Sequence, residues 1–312
     1  MDRCSHGTRL VTRRSGPSGE IVSLDGSAAE RVPSGMIAVD TVSASILPSG
    51  GPRWGTQSRL YSGVPSPGDD PFGRADLHLH TRASDGLMSA RDLVDHVARK
   101  TNLDVIAITD HDETSASLEA REWAARQGYH LEVVPGVEVT TRDGHLLALW
   151  VEERPPALRN LQVTAEWVRE RGGLCIAPHP FTRWTHSLNL RSLRPAIEQG
   201  LIAGMEIFNA SLAGRASRPH AIRFANEHGL AGVGASDAHM LSMVGLAWTC
   251  FEGRMSADLR RAIELRTVRA EGRFATPGEM AAEAIPQLAR SMVHLPLRRM
   301  VRFARMRARA TR

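Results

Sequence analysis

Between Arg74 and Gly86 the chain reads Arg-Ala-Asp-Leu-His-Leu-His-Thr-Arg-Ala-Ser-Asp-Gly, which places His78 and His80 two residues apart and Asp85 five residues after the second. Residues i and i+2 of a strand point to one face. Two imidazoles at that spacing can grip one metal ion without bending the backbone. A His-x-His pair alone is as readily a packed or solvated pair, so the case rests on what accompanies it. Further on come Thr109-Asp110-His111-Asp112, Glu138, His145, His179 and Ser236-Asp237-Ala238-His239. Imidazoles mixed with carboxylates are borderline nitrogen and oxygen donors, suited to Mn, Fe or Zn and unlike the all-oxygen cages of Ca or Mg. Such ions bring the pKa of bound water from about 15.7 to about 7, and a pair roughly 3.5–4 Å apart stabilises both attacking and leaving oxygens of an in-line displacement.

The elements that must carry these residues follow a strand–helix alternation from Arg74 onward. The patterning predicts a strand over 74–80. A helix follows near 89–100, with Ser89 as cap, Asp92 in capping-box position and Leu93, Val94 and Val97 on its apolar face. Asp104-Val-Ile-Ala-Ile-Thr109 is the continuous apolar run of a strand covered on both faces. A helix over 115–127 stops at Gly128, a C′ glycine. Strands at 131–139 and 145–151, a helix at 157–171, strands at 174–177 and 204–209, a helix around 219–228 and a strand at 231–235 continue the series. Gly245–Phe251 and a helix over 256–266 follow. Repeated βα units with short loops imply a largely parallel sheet, barrel-like or open. His78, His80, His111, His179, Asp237 and His239 all fall at or just after the C-terminal ends of these strands, the face where parallel α/β barrels build active sites. His6, His96, His130, His186, His220, His228 and His294 scatter elsewhere and read as background.

Taken together in this order, His78-x-His80, Asp85, Thr109-Asp-His-Asp112, Glu138, His145, His179 and Ser236-Asp-x-His239 resemble the PHP (polymerase and histidinol phosphatase) superfamily, over about Arg74 to Arg269. The resemblance implies a distorted (β/α)7 barrel holding two or three divalent ions, usually Mn, Fe or Zn. It implies one ion on His78, His80, Glu138 and Asp237, and a second on His145 and His179 with Glu138 as bridge. A third would lie between Asp85, His111 and His239. The loop before His145 varies in length in the family. Three divalent ions against three carboxylates would leave the site positive, an electrostatic funnel for a phosphate dianion. The expected activity is metal-dependent hydrolysis of a phosphate ester by a metal-bridging hydroxide. Within the family, Ser-Asp-Gly with Thr-Asp-His-Asp resembles the enzymes acting on nucleotides or short oligonucleotides more than histidinol-phosphate or other small-molecule phosphatases. An amidohydrolase barrel also opens with His-x-His. Its common binuclear form needs a carbamylated lysine on a strand, whereas Lys100, the only lysine of the chain, ends a helix; members with a bridging glutamate remain open but do not explain Thr109-Asp-His-Asp112 or Asp237-x-His239.

Three residues near this face are substrate-binding candidates. Arg82 and Arg183 could clamp a phosphate bidentately, and Asn209 could orient a substrate or cap the next helix. The flanks differ in character. Residues 1–70 are rich in Ser, Gly, Pro and Arg without sustained period and read as a low-complexity, disordered segment. Residues 71–272 form the catalytic domain, and 273–312 a basic helical C-terminal extension. No acidic residue follows Glu283, while 290–312 hold eight arginines. A helix begun at Pro296 would put Leu297, Met300, Val301, Ala304 and Ala308 on one face, a shape suited to an anionic membrane surface or to nucleic acid. That tail also supports a third class of function, a non-catalytic metal-binding module acting through it. No run of about 18 apolar residues is present. Cys4, Cys175 and Cys250 lie far apart with no Cys-x-x-Cys, which fits a cytoplasmic protein without disulfides or a thiolate zinc site.

Overall fold

The computed structural model of the chain describes residues 71–156, 158–182 and 185–289. In order, the elements are β1 (Phe72–Asp76), α1 (Ala90–Lys100), β2 (Val105–Ile108), α2 (Ser115–Gln127), β3 (Glu132–Thr141), β4 (Gly144–Leu149), α3 (Leu161–Glu170), β5 (Leu174–Ala177) and α4 (Leu190–Glu198). They continue with β6 (Gly204–Asn209), α5 (Leu212–Glu227), β7 (Ala231–Ala235), a 3-10 turn (Leu241–Met243), β8 (Ala247–Glu252), α6 (Ser256–Leu265), β9 (Arg269–Gly272) and α7 (Pro277–Ala289). The expected segment 1–70 and the arginine-rich tail, with its proposed helix from Pro296, lie outside the described residues.

The strands form one sheet in the order β7-β6-β5-β4-β3-β2-β1-β8-β9. It curls until its ends meet. His80 N–H donates to Ala238 O (3.0 Å) and Ala238 N–H to His78 O (3.3 Å), so the residues after β7 pair with those after β1. The Thr249 hydroxyl of β8 bonds both Gly234 N–H and Gly234 O of β7. The result is the α/β barrel that the resemblance implied, where the patterning alone had left barrel and open sheet both possible. Two departures from a pure strand–helix repeat matter. β4 runs antiparallel to both β3 and β5, and β8 is antiparallel to β1. The β3–β4 reversal turns at Gly144 (φ 131°), where a Cβ would sit 2.5 Å from the backbone of Ser187.

Apolar strands are covered on both faces. Val105 and Ala107 of β2 point with Leu147, Leu149, Ile176 and Val233 into the barrel, while Ile106 and Ile108 pack outward with Leu93, Val94 and Val97 of α1 and Ala120 and Ala124 of α2. This alternation of two buried faces is why the run 104–109 carries no polar residue between its ends. Leu259, Ala262 and Ile263 of α6 join the inner set. Ser256 N–H donates to Glu132 at the start of β3, so α6 stops the end of the barrel where that strand begins.

Local signals account for most helix limits. Ser89 caps α1 by accepting from Asp92 N–H (3.1 Å), and Gly128 ends α2 at φ 66°. Other limits differ from expectation. The first strand is regular only to Asp76, because beyond it the backbone is shared between two neighbours, Ala238 on one side and Thr109 N–H, which donates to Leu79 O, on the other. The helix expected at 157–171 begins at Leu161, after the Asn160 cap. That expected at 219–228 begins seven residues earlier, at Leu212 after the Ser211 cap, and Pro219 lies inside it rather than at its first turn. Two elements, α4 and β9, were not expected, and α7 lies within 273–312, read above as a helical extension without a stated start. The start of α7 does carry a signature, since Thr276 and Glu279 form a reciprocal cap around Pro277.

Candidate metal centre

Four strand ends and one hairpin deliver the site. The irregular continuation of β1 carries His78 and His80, and the end of β2 carries His111. Glu138 lies within β3, where the hairpin with β4 prolongs that strand past its neighbour β2. His179 follows β5, and Asp237 and His239 follow β7. β4 contributes from its other end. Because it runs antiparallel, its second residue, His145, lies at the same face as the C-terminal ends of the parallel strands.

The carboxylate of Glu138 is the hub and is buried at 1% exposure. Its Oε1 lies 2.8 Å from His145 Nδ1 and 3.0 Å from His179 Nε2. Its Oε2 lies 3.1 Å from His78 Nε2, 3.2 Å from His80 Nε2 and 3.3 Å from His111 Nδ1. Asp237 Oδ1 stands 3.3 Å from His78 Nε2 and 3.4 Å from His80 Nε2. Asp85 completes the other flank, 3.3 Å from His239 Nε2, 3.5 Å from His80 Nδ1 and 3.7 Å from His111 Nε2. All nine residues singled out as ligands thus meet in one cluster.

The surrounding residues hold this geometry. Asp110 accepts from Thr81 N–H (2.7 Å), the Thr81 hydroxyl (2.6 Å), Ser84 N–H (3.2 Å) and the Ser84 hydroxyl (2.5 Å), folding the loop that presents Asp85. Gly86 lets that loop close, since a Cβ there would lie 2.3 Å from His80 O. Asp76 performs the same service for Asp237, accepting from the N–H and hydroxyl of Ser236 and from Gly245 N–H. Glu206 pairs with His78 Nδ1 (2.8 Å), leaving Nε2 to face the cluster, and accepts from His179 N–H (2.7 Å). Thr185 pairs with His179 Nδ1 (3.0 Å), and His186 O accepts from His145 N–H (2.7 Å). Sequence reasoning passed over Glu206, Thr185 and His186. Nothing in their spacing marks them, and only the strand ends bring them in.

Electrostatics follow from burial against paired charge. Burial opposes a charged His80, but close contact with Asp237 and Glu138 and the charge of Asp85 outweigh it and push the imidazole up to about 10. His78 is raised in the same way, against burial, by Asp237, Glu138 and Glu206. Asp237 and Glu138 are held well below the usual carboxylate range by the histidines around them, again against the cost of burial. His111 goes the other way, down to about 4, because burial dominates its carboxylate contacts.

The donor set fits divalent cations. Buried His80 Nε2 and His145 Nδ1 have no hydrogen-bond partner, although Glu138 oxygens lie 3.2 and 2.8 Å away. A divalent cation lying between these nitrogens and the Glu138 oxygens would satisfy both. Four triads offer ligand atoms within 4.8 Å of one another: His78–Glu138–His179, His78–His80–Asp237, His80–His111–Glu138 and His80–Asp85–His239. His80 thus joins the group assigned by resemblance to Asp85 and His239 as well as the group with His78.

The substrate-binding candidates are placed less uniformly. Arg82 is exposed on the loop before Asp85, with its Nε donating to Leu87 O (2.9 Å). Asn209 is buried, and its amide nitrogen lies 3.0 Å from Glu206 and 3.4 Å from Asp237 while its oxygen accepts from Ser211 N–H. Arg183 lies outside the described residues.

An α/β barrel with imidazoles and carboxylates converging at its strand ends is thereby defined. Residues 76–173 match the PHP domain family, and residues 217–268 match the PHP-associated family. An uncharacterised protein of Methanocaldococcus jannaschii is 32% identical over 148 residues, 44% of this chain and 82% of that protein. The 5'-3' exoribonuclease Rnm of Salmonella typhimurium is 40% identical over 106 residues, 33% of this chain; the match spans only 36% of that enzyme. Among solved structures, a two-domain Bacteroides vulgatus protein containing a predicted PHP-like metal-dependent phosphoesterase shares the fold. Its TM-score is 0.56 at 21% identity, over 65% of each chain. The chain belongs to the PHP family of phosphoesterases.

Proposed function

We propose that residues 71–272 hydrolyse a phosphate ester of a nucleotide or short oligonucleotide, using two or three divalent ions held by His78, His80, Asp85, His111, Glu138, His145, His179, Asp237 and His239. The observation that carries this is Glu138, whose two carboxylate oxygens face five imidazole nitrogens at 2.8–3.3 Å. With Asp237 and Asp85 beside it, Glu138 completes a set of six imidazoles and three carboxylates that cations lying among them would satisfy. When bound, such ions supply an activated water and offset the charge of the phosphate.

The chain's own residues do the remaining work. Asp110 and Asp76 fix the loops that present Asp85 and Asp237. Glu206 sets the tautomer of His78, the arrangement in which a carboxylate behind a ligating histidine orients the ring and raises its basicity. Arg82, exposed on the loop before Asp85, is the residue assigned here to a phosphate oxygen. The nucleotide class is supported by the exoribonuclease among the relatives. Histidinol-phosphate-type and other small-molecule phosphatases are the competing substrates.

The test is metal analysis of the purified protein coupled to a phosphatase panel of nucleotides, short RNA and sugar phosphates. Bound divalent metal with phosphate release from nucleotides or RNA is expected. Release confined to sugar or histidinol phosphates would replace the substrate class, and bound metal without turnover on any ester would favour a non-catalytic module.

A further inference from the structure

The loop after β5 that follows His179 and the first turns of α5 border an open surface cavity of about 530 Å³, lined by Phe181, Thr182, Leu212, Ala216, Ser217 and His220. That volume lies within the roughly 300–1,000 Å³ of small-ligand sites. Both walls are tied to the cluster by short chains of contact. Phe181 stands two residues after His179, and the Thr182 hydroxyl donates to His179 O (3.1 Å). On the other side, Ser211, the cap of α5, donates its N–H to Asn209, whose amide nitrogen is 3.4 Å from Asp237. A molecule with one end among the cluster residues therefore has this cavity as its neighbour.

We propose that the cavity holds the base of the nucleotide whose phosphate sits at the cluster, an inference that rests on the phosphoesterase reading above. The aromatic wall is built for a planar group. The Phe181 ring stacks on His220 with centroids 4.0 Å apart at 13° and meets Phe224 edge-on at 5.3 Å. Phe181 adopts φ 62°, a region that a bulky side chain rarely enters, and residues held there cluster at ligand sites. On the same helix as His220, Ala216 lies one turn earlier, and its small side chain leaves room for a flat ring beside the stack. Leu212, also lining the cavity, is 43% exposed and offers apolar surface to a bound group. The hydroxyls of Thr182 and Ser217 supply the few polar contacts a base edge needs. Every base has a π-face, so a stacking wall separates substrates with a base from those without one more than it separates bases from each other.

The experiment compares 5'-AMP, 5'-UMP and ribose 5-phosphate on the full-length, metal-loaded protein and on Ala216→Trp, which fills the slot, and His220→Ala, which removes one ring. The readout is the ratio of kcat/KM on the nucleotides to that on ribose 5-phosphate. We expect wild type to prefer both nucleotides, and each variant to lose roughly 5- to 100-fold of that preference, the size of base–aromatic stacking, mainly through KM. Metal content measured alongside shows that the cluster is intact. Equal ratios in wild type and in both variants overturn the base site. If wild type hydrolyses none of the three esters and nothing in the wider panel above, the phosphoesterase reading fails instead. Calorimetric binding of 5'-AMP against ribose 5-phosphate then decides the base site separately: tighter AMP binding lost in Ala216→Trp supports it, and equal binding overturns it.

Discussion

Five imidazoles around one carboxylate make the charge of Glu138 the quantity on which the centre turns. Glu138→Gln keeps the shape and removes that charge. Bound metal should fall and turnover should drop by at least about 100-fold, while far-UV circular dichroism stays unchanged; full metal content in the variant would refute the hub role. His78→Ala should act alike. Glu206→Gln leaves all nine proposed ligands in place and loosens only the orientation of His78. Its expected cost is about 10- to 100-fold in metal affinity or activity, and a wild-type metal titration would remove Glu206 from the centre. The same cluster sets a pH dependence. Ligation needs neutral imidazoles, whereas the carboxylates push His80 up to about 10 and raise His78, His145 and His239. At neutral pH these protons must leave for metal to enter, so affinity rises with pH, about tenfold per unit for each displaced proton. Calorimetric Mn²⁺ titrations in buffers of different ionisation enthalpy should show proton release, and proton uptake would reverse the assignment.

At the scale of elements, the site depends on loops folded tightly over strand ends. The Thr81–Gly86 loop is the clearest, hung on Asp110 and closed against the His80 carbonyl at Gly86. Gly86→Ala forces a methyl into that contact. Overpacking of this kind costs roughly 1–3 kcal/mol, and the displaced loop takes Asp85 away from His111 and His239. A lower melting temperature and the loss of about one ion per chain are expected, measured by thermal unfolding and metal analysis. Unchanged stoichiometry would detach Asp85 from the metal set. The antiparallel course of β4 has a similar consequence. It brings the start of a strand, not its end, to the working face, which is why His145 can stand 2.8 Å from Glu138.

For the molecule as a whole, metal acts as a ligand of the native state. At a free concentration about 100 times Kd, a single ion adds about 2.7 kcal/mol, and 1 kcal/mol moves the melting temperature of a domain this size by roughly 2–4 °C. Chelation by EDTA should therefore lower it by roughly 5–10 °C, with recovery on adding Mn²⁺; no shift would argue against ions in the folded core. Residues 1–70 contribute none of the nine proposed ligands, so deleting them should leave metal content and turnover within a factor of a few. Loss of folding on deletion would show that the segment packs on the barrel. Among the described residues no helix is long and apolar enough to cross a membrane. Whether the tail from 290 meets anionic lipid or nucleic acid is a matter for cosedimentation with vesicles and competing RNA.

The amino-acid sequence by itself determined most of the strand–helix series, the covered strand at 104–109, the caps at Ser89 and Gly128, and the order of the candidate metal ligands along that series. These are local properties: side-chain period, cap chemistry and residue type act over a few positions. The tertiary structure decided what depends on closure of the sheet. The meeting of β1 and β7 put Ala238 against His78 and His80, and the hairpin at Gly144 set the direction of β4. The fold also gave His186 and His220, which read as background in the sequence, places beside His145 and Phe181. Glu206 shows the limit most plainly. It is one glutamate in an apolar strand, 128 residues from His78, and no spacing in the chain foretells a 2.8 Å contact made only when the barrel closes.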